Sequence, residues 1–279
     1  MLNLPKPGNI KALVLDLDGT ILAPGAVLSE RTIAAVNSCV KRGLKIIIAT
    51  GRAIEAAERF RALLGAEGPM IYYNGALVAE MPEGRFLQST LLDKKKAEFC
   101  VDLSRETGIY CQIYLFNGKR IPLLAERDGP EKEMYHKHTG ILAELVDLKE
   151  ALGRSEMSGC VKAMFLAEPE LFAGLRLRLD ERLGKSVYIA QTLRTFLEVM
   201  DAKVSKGQGL SFAIERLSLK REEVIAFGDE ENDIPMFASA GFSVAPSNAK
   251  DTVKAKADLV VGSNAEDGVA AFLEEFFAL

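Results

Sequence analysis

Basic residues hold no majority in this chain. Its 35 Lys and Arg stand against 39 Asp and Glu, a formal net charge of −4 over 279 residues. That balance argues against a nucleic-acid binder, which needs excess positive charge to meet a phosphate backbone. Cysteine is scarce. The four residues Cys39, Cys100, Cys111 and Cys160 lack any C-x-x-C spacing and fall in apolar stretches, so they read as small buried residues in a reducing cytosol. No apolar run approaches the roughly 20 residues of a membrane span, and nothing near the N-terminus has the apolar core of a signal peptide. A soluble, cytoplasmic protein with no membrane partner is expected. The two histidines, His136 and His138, lie in a charged, poorly patterned stretch and read as solvated, with metal or substrate contact as the alternatives. No internal repeat or low-complexity segment is evident.

What the sequence does contain is acid at strand ends. Ala12-Leu13-Val14-Leu15 reads as a strand buried on both faces, and it runs into Asp16-Leu17-Asp18-Gly19-Thr20. Ligands bind beyond the carboxyl ends of such strands in parallel sheets. Asp18-Gly19 alone is an ordinary turn dipeptide. Asp16 is harder to dismiss, because an acid at the last buried strand position costs several kcal/mol unless it is paired or metal-bound. A second apolar strand, Glu223 to Phe227, also ends in acids, Gly228-Asp229-Glu230-Glu231-Asn232-Asp233. Two such ends suggest one shared oxygen-ligand site for a hard cation, with Mg2+ the leading choice. Two further features point to phosphate. Strand Leu44 to Ala49 stops at Thr50-Gly51-Arg52, where a hydroxyl, a backbone N–H and a helix start make an anion contact. Lys206 stands at the entrance of the helical pattern Leu210, Ala213, Ile214, Leu217. Each has a plainer reading: a lone lysine is solvated surface, Arg52 is ordinary helix charge, and Asn74-Gly75 is a turn.

Together these segments resemble the haloacid dehalogenase (HAD) superfamily, whose phosphatases carry an Asp-x-Asp-Gly-Thr motif, a Thr or Ser motif, a lysine motif and a late acidic motif in this order. The long interval between Thr50 and Lys206, with Tyr73-Asn74-Gly75-Ala76 and the late Gly-Asp-x-x-Asn-Asp, is similar to the Cof-type branch, which has a type IIB cap in that interval. The resemblance implies a Mg2+-dependent phosphomonoester hydrolase acting on a small phosphorylated metabolite, such as a sugar or polyol phosphate. Asp16 would be the nucleophile and become an aspartyl-phosphate; Asp18 would protonate the leaving alcohol and then activate water. Thr50, Gly51 and Lys206 would hold phosphoryl oxygens, with Asn232 on phosphate or metal-bound water. Asp16, the backbone carbonyl of Asp18, Asp229 and Asp233 would hold the metal, and Arg52, Asn74 and Gly75 would lie on the substrate side. Two like charges about 4 Å apart cost roughly 4 kcal/mol at an effective dielectric near 20, so attack by a carboxylate on a phosphate dianion requires the opposing charges of metal and Lys206. Glu230, where the branch has Gly or Ser, adds negative charge near the metal, and Asn248 follows Pro246-Ser247 in place of a small flexible pair. A phosphomutase like the phosphomannomutases and a weakly active phosphometabolite-binding regulator are the rival readings. The oligomeric state stays open.

Helical and strand patterns alternate to about residue 80 and again after Lys206, as in a doubly wound, mainly parallel α/β sheet, a Rossmann-like HAD core. The interval reads as α+β: hairpin-like strands from about Met81, a helix from Asp93 to Thr107, a poorly patterned region from Lys119 to Ser158, then further strands and a helix. A discontinuous core of 1–81 and 190–279 with an inserted cap of 82–189 is expected.

Overall fold

Four consecutive aliphatic positions with no exposure make Ala12–Leu15 (β1) a strand that can only lie inside a sheet. In this computed structural model, which describes residues 4–279, β1 is followed by α1 (Glu30–Lys41), β2 (Lys45–Ile48), α2 (Ile54–Leu63) and β3 (Gly68–Tyr72). The hairpin partners β4 (Leu77–Met81) and β5 (Arg85–Ser89) complete this stretch. Ser29 caps α1 by accepting from the Thr32 N–H, as its position before the apolar pattern suggests. The next stretch is α3 (Lys94–Thr107), β6 (Tyr110–Phe116), β7 (Leu123–Ala125), α4 (Pro130–Thr139), β8 (Glu144–Leu145), α5 (Leu148–Gly153), β9 (Gly159–Leu166), α6 (Phe172–Leu183), β10 (Val187–Leu193) and β11 (Phe196–Asp201). The chain ends with α7 (Lys206–Arg216), β12 (Val224–Phe227), α8 (Ile234–Ser239), β13 (Phe242–Pro246), α9 (Asp251–Lys254), β14 (Leu259–Val261) and α10 (Gly268–Phe277).

The chain divides into two units. One ends at Gln88 and resumes at Ser205; the other is Ser89–Val204. The expected boundaries at 81/82 and 189/190 fall earlier in the chain than these, and pairing explains the difference. β5 stays in a three-stranded sheet with β3 and β4, whereas β10 and β11 complete the second unit's sheet through β9. In the first unit a parallel sheet runs β14-β13-β12-β1-β2. The chain leaves β1 toward β2 on one side, and β12 lies on the other. The topological switch, where α/β sheets bind ligands, therefore falls between β1 and β12.

The second unit has a six-stranded sheet, β10-β11-β9-β6-β7-β8, antiparallel except for β7 with β8. Alternate residues Cys111, Ile113 and Leu115 of β6, with Ala163 and Phe165 of β9, share one core with Val101, Leu152 and Leu175 of its helices, the period of two expected of a strand. The opposite face carries Gln112, Tyr114, Lys162 and Glu198, all buried. All four cysteines are buried and free. His136 and His138 occupy the last turn of α4, exposed, with the His138 ring edge-on to Phe196 at 5.9 Å. Among the described residues, no helix is long and apolar enough to cross a membrane.

Candidate active site

Register brings the strand ends together. Leu15 pairs with Ile48 on one side and Phe227 on the other, so the residues just beyond, Asp16, Thr50 and Gly228-Asp229, leave the sheet side by side. The Asp16 N–H donates to the Phe227 carbonyl at 3.1 Å, fixing the start of the loop. Gly19 completes the turn with φ +77°, and a Cβ there would lie 2.1 Å from Asp229 Oδ2; position 19 needs glycine for both conformation and room.

Lys206 is the first residue of α7, behind the N-cap Ser205, and is 1% exposed. A buried ammonium at a helix N-terminus opposes the helix dipole, so its counter-charges must come from elsewhere. They are Asp16 Oδ1 at 2.6 Å and Asp233 Oδ1 at 2.7 Å. The other Asp233 oxygen accepts the Asp229 and Glu230 N–H groups at 2.9 and 3.0 Å. Asp229 Oδ1 accepts from the Thr20 hydroxyl at 2.7 Å. Sequence reasoning gave Thr20 no role, although its place just after Asp18-Gly19 is a usable signal. Carboxylate oxygens of Asp16, Asp229 and Asp233 lie within 4.8 Å of one another.

This cluster is short of positive charge. Burial, reinforced by Asp233 and Asp229, pushes the Asp16 carboxyl well above its ordinary value despite Lys206. Burial and then Asp233 raise Asp229 to about 6 against the pull of the Thr20 hydroxyl. Burial alone would lower the Lys206 ammonium, but the two carboxylates outweigh it and hold it above the usual lysine range. Three carboxylates against one ammonium, with an all-oxygen donor set, fit a divalent hard cation. Glu230 turns its carboxylate to Lys250 at 2.8 Å, yet its charge still adds to the upward push on Asp229.

Thr50 is buried at the end of β2, its hydroxyl accepting the Arg52 N–H at 3.1 Å. Gly51 lies against the Asn74 side chain, where a Cβ would come within 2.9 Å of Asn74 Oδ1. Asn74 is itself buried in the left-handed region (φ 58°, ψ 22°); its N–H donates to the Thr50 carbonyl at 3.0 Å, and its Oδ1 accepts from Asn232 Nδ2 at 2.9 Å. Gly75, with φ +97°, packs so closely on the α7 entrance that a Cβ would lie 2.1 Å from the Ser205 carbonyl oxygen. The Tyr73–Gly75 turn thus ties together the chain at Thr50, Lys206 and Asn232. Asp18 faces outward: its side chain is 56% exposed, and both of its oxygens are taken by Arg52, from Nε at 2.7 Å and Nη2 at 2.6 Å. Asn248 donates to the Gly19 carbonyl at 2.8 Å and accepts from the Asn264 N–H at 2.9 Å, so it braces the loop.

An open parallel sheet with a buried, cation-ready carboxylate cluster at its switch point defines an α/β enzyme whose chemistry sits at the ends of β1, β2 and β12. The chain belongs to the haloacid dehalogenase-like hydrolase family, whose profile matches residues 13–273, and is a HAD-type phosphatase of the Cof type. It is 29% identical to the 5-amino-6-(5-phospho-D-ribitylamino)uracil phosphatase YitU of Bacillus subtilis over 96% of this chain and 97% of that one. It is 27% identical to the pyridoxal phosphate phosphatase YbhA of Escherichia coli over 94% and 97%. A solved Thermotoga maritima protein superposes with a TM-score of 0.84 at 29% identity, covering 95% of this chain and 97% of that one.

Proposed function

We propose that this protein is a Mg2+-dependent phosphomonoester hydrolase for small phosphorylated metabolites of the sugar or polyol phosphate type, working through an aspartyl-phosphate on Asp16. The observation that carries the reading is the buried contact of Lys206 with Asp16 and Asp233, beside Asp229, at the β1/β12 switch point. The names of two relatives support the small-metabolite part of this reading, one a phosphatase of a phosphorylated ribityl compound and one of pyridoxal phosphate.

Asp16, Asp229, Asp233 and the Asp18 carbonyl would hold Mg2+, which supplies charge neutralisation for the phosphoryl oxygens. Lys206 occupies Asp16 Oδ1, leaving Oδ2 to attack phosphorus. As the Asp16–phosphorus bond forms, the ester P–O bond breaks and Asp18 protonates the departing alkoxide. Asp18 then takes a proton from water, the resulting hydroxide attacks phosphorus, and the Asp16–phosphorus bond breaks to release phosphate. Thr50, the Gly51 N–H, Lys206 and Asn232 hold the phosphoryl oxygens meanwhile. Arg52, Asn74 and Gly75 line the substrate side, with Asn74 acting through Asn232.

Phosphate release from a panel of phosphorylated metabolites, with Mg2+ and with chelator, tests this directly. We expect turnover only with the cation. An isomeric phosphate as the main product, with little free phosphate, would overturn hydrolysis in favour of a mutase.

A further inference from the structure

The proposed chemistry asks Asp18 to face the leaving group, yet Asp18 has no free oxygen. Arg52 grips both through Nε and Nη2, a fork-to-carboxylate pair. Three features make that grip exchangeable. The Asp18 side chain is 56% exposed, so water can solvate its oxygens as Arg52 lets go. The guanidinium is seated independently of Asp18, over the Phe60 ring at 5.1 Å, so it stays in place when its partner leaves. The backbone N–H of Arg52 donates to the Thr50 hydroxyl, which roots the residue next to a group assigned to phosphate.

We propose that Arg52 is an exchange clamp: it holds Asp18 aside in the resting protein and passes to the arriving phosphate dianion, which frees Asp18 for the leaving group. The inference rests on the phosphatase reading and adds to it an order of events. No covalent bond changes in the exchange. Two N–H donors leave a singly charged carboxylate for doubly charged phosphoryl oxygens of matching fork geometry, so substrate charge favours the transfer. Arg52 is thus a positioning residue for Asp18 before it touches substrate, and the freed Asp18 carboxylate takes up a proton from solvent before it gives one to the leaving group.

Two measurements on the full chain test this. The first follows the 1H–15N signal of Arg52 Nε, assigned by its loss in Arg52→Lys. It should shift in Asp18→Asn, and in the parent protein it should move on addition of Mg2+ and inorganic phosphate. A signal that stays put while calorimetry shows phosphate bound overturns the clamp. Failure of calorimetry to detect any phosphate binding overturns instead the phosphatase reading beneath it. The second compares an alkyl phosphate, whose leaving group needs an acid, with a nitrophenyl phosphate, whose leaving group does not. Arg52→Ala should raise KM for both by about ten- to a hundredfold, the loss of a charged hydrogen bond, and leave the ratio of their kcat values unchanged. A kcat loss confined to the alkyl phosphate would mean that Arg52 holds Asp18 in its working pose, and the clamp would be wrong.

Discussion

Asp16 accepts a hydrogen bond from a buried lysine while two further carboxylates press on it, so its charge is costly in the folded protein and useful only with a substrate. Asp16→Asn keeps the acceptor for Lys206 and removes one repelling charge. We expect turnover to fall below about a thousandth of the parent rate, as when a covalent nucleophile is removed, with a melting temperature equal or higher. Near-parental phosphate release by this variant would sink the covalent scheme. Asn74 separates backbone from side-chain effects, because its φ of 58° suits glycine and not alanine. Asn74→Ala should be less stable than Asn74→Gly by about 1 kcal/mol, measured by urea denaturation. Both should weaken inorganic phosphate inhibition alike if the amide serves to hold Asn232.

Elements with a strong pattern were legible and weakly patterned ones were not. β1 and β12 announce themselves as fully buried apolar runs, and α3 by the Asp93 cap and the Gly108 stop. The region from Lys119 to Ser158 concealed β7, β8 and α5, of three, two and six residues, too short for a period to register. It also hid α4, which buries Tyr135 alone. The second unit's sheet holds one feature that no local pattern discloses. Lys162 and Glu198, each 4% exposed at the side chain, meet at 2.6 Å across neighbouring strands β9 and β11. Breaking such a pair strands a buried charge, so Glu198→Gln should cost about 3–5 kcal/mol. The double replacement Lys162→Met with Glu198→Leu should recover most of it, and denaturant unfolding of the three variants checks both statements.

For the molecule as a whole, the acidic cluster links stability to pH and to cation. Asp229 titrates at about 6 in the folded protein against an ordinary 3.8. Between those values the folded chain keeps a proton that the unfolded chain has released. This contribution is therefore fully present below the unfolded value and is lost as pH rises through 6. Two units correspond to about 3 kcal/mol, and Asp16 acts in the same direction. A divalent cation replaces the missing positive charge. The rise in melting temperature on adding Mg2+ should thus widen as pH is raised from about 4.5 to about 7. Thermal melts with cation and with chelator measure it, and a gap that stays constant would show that the cluster does not bind the ion.

The order of acidic, hydroxyl and lysine segments at strand and helix ends was fixed by local chemistry: a buried aliphatic run must be a sheet strand, and an acid at its end must find a partner. Which partner could not be read there, since Lys206 meets Asp16 and Asp233 across 190 and 27 residues only because register aligns β1 with β12. The capture of Asp18 by Arg52, the Asn74 bond to Asn232, and the closing of the second sheet by β10 and β11 are likewise decided in three dimensions. Charge and hydrogen-bond pairing act over a few ångströms of space, whatever the distance along the chain.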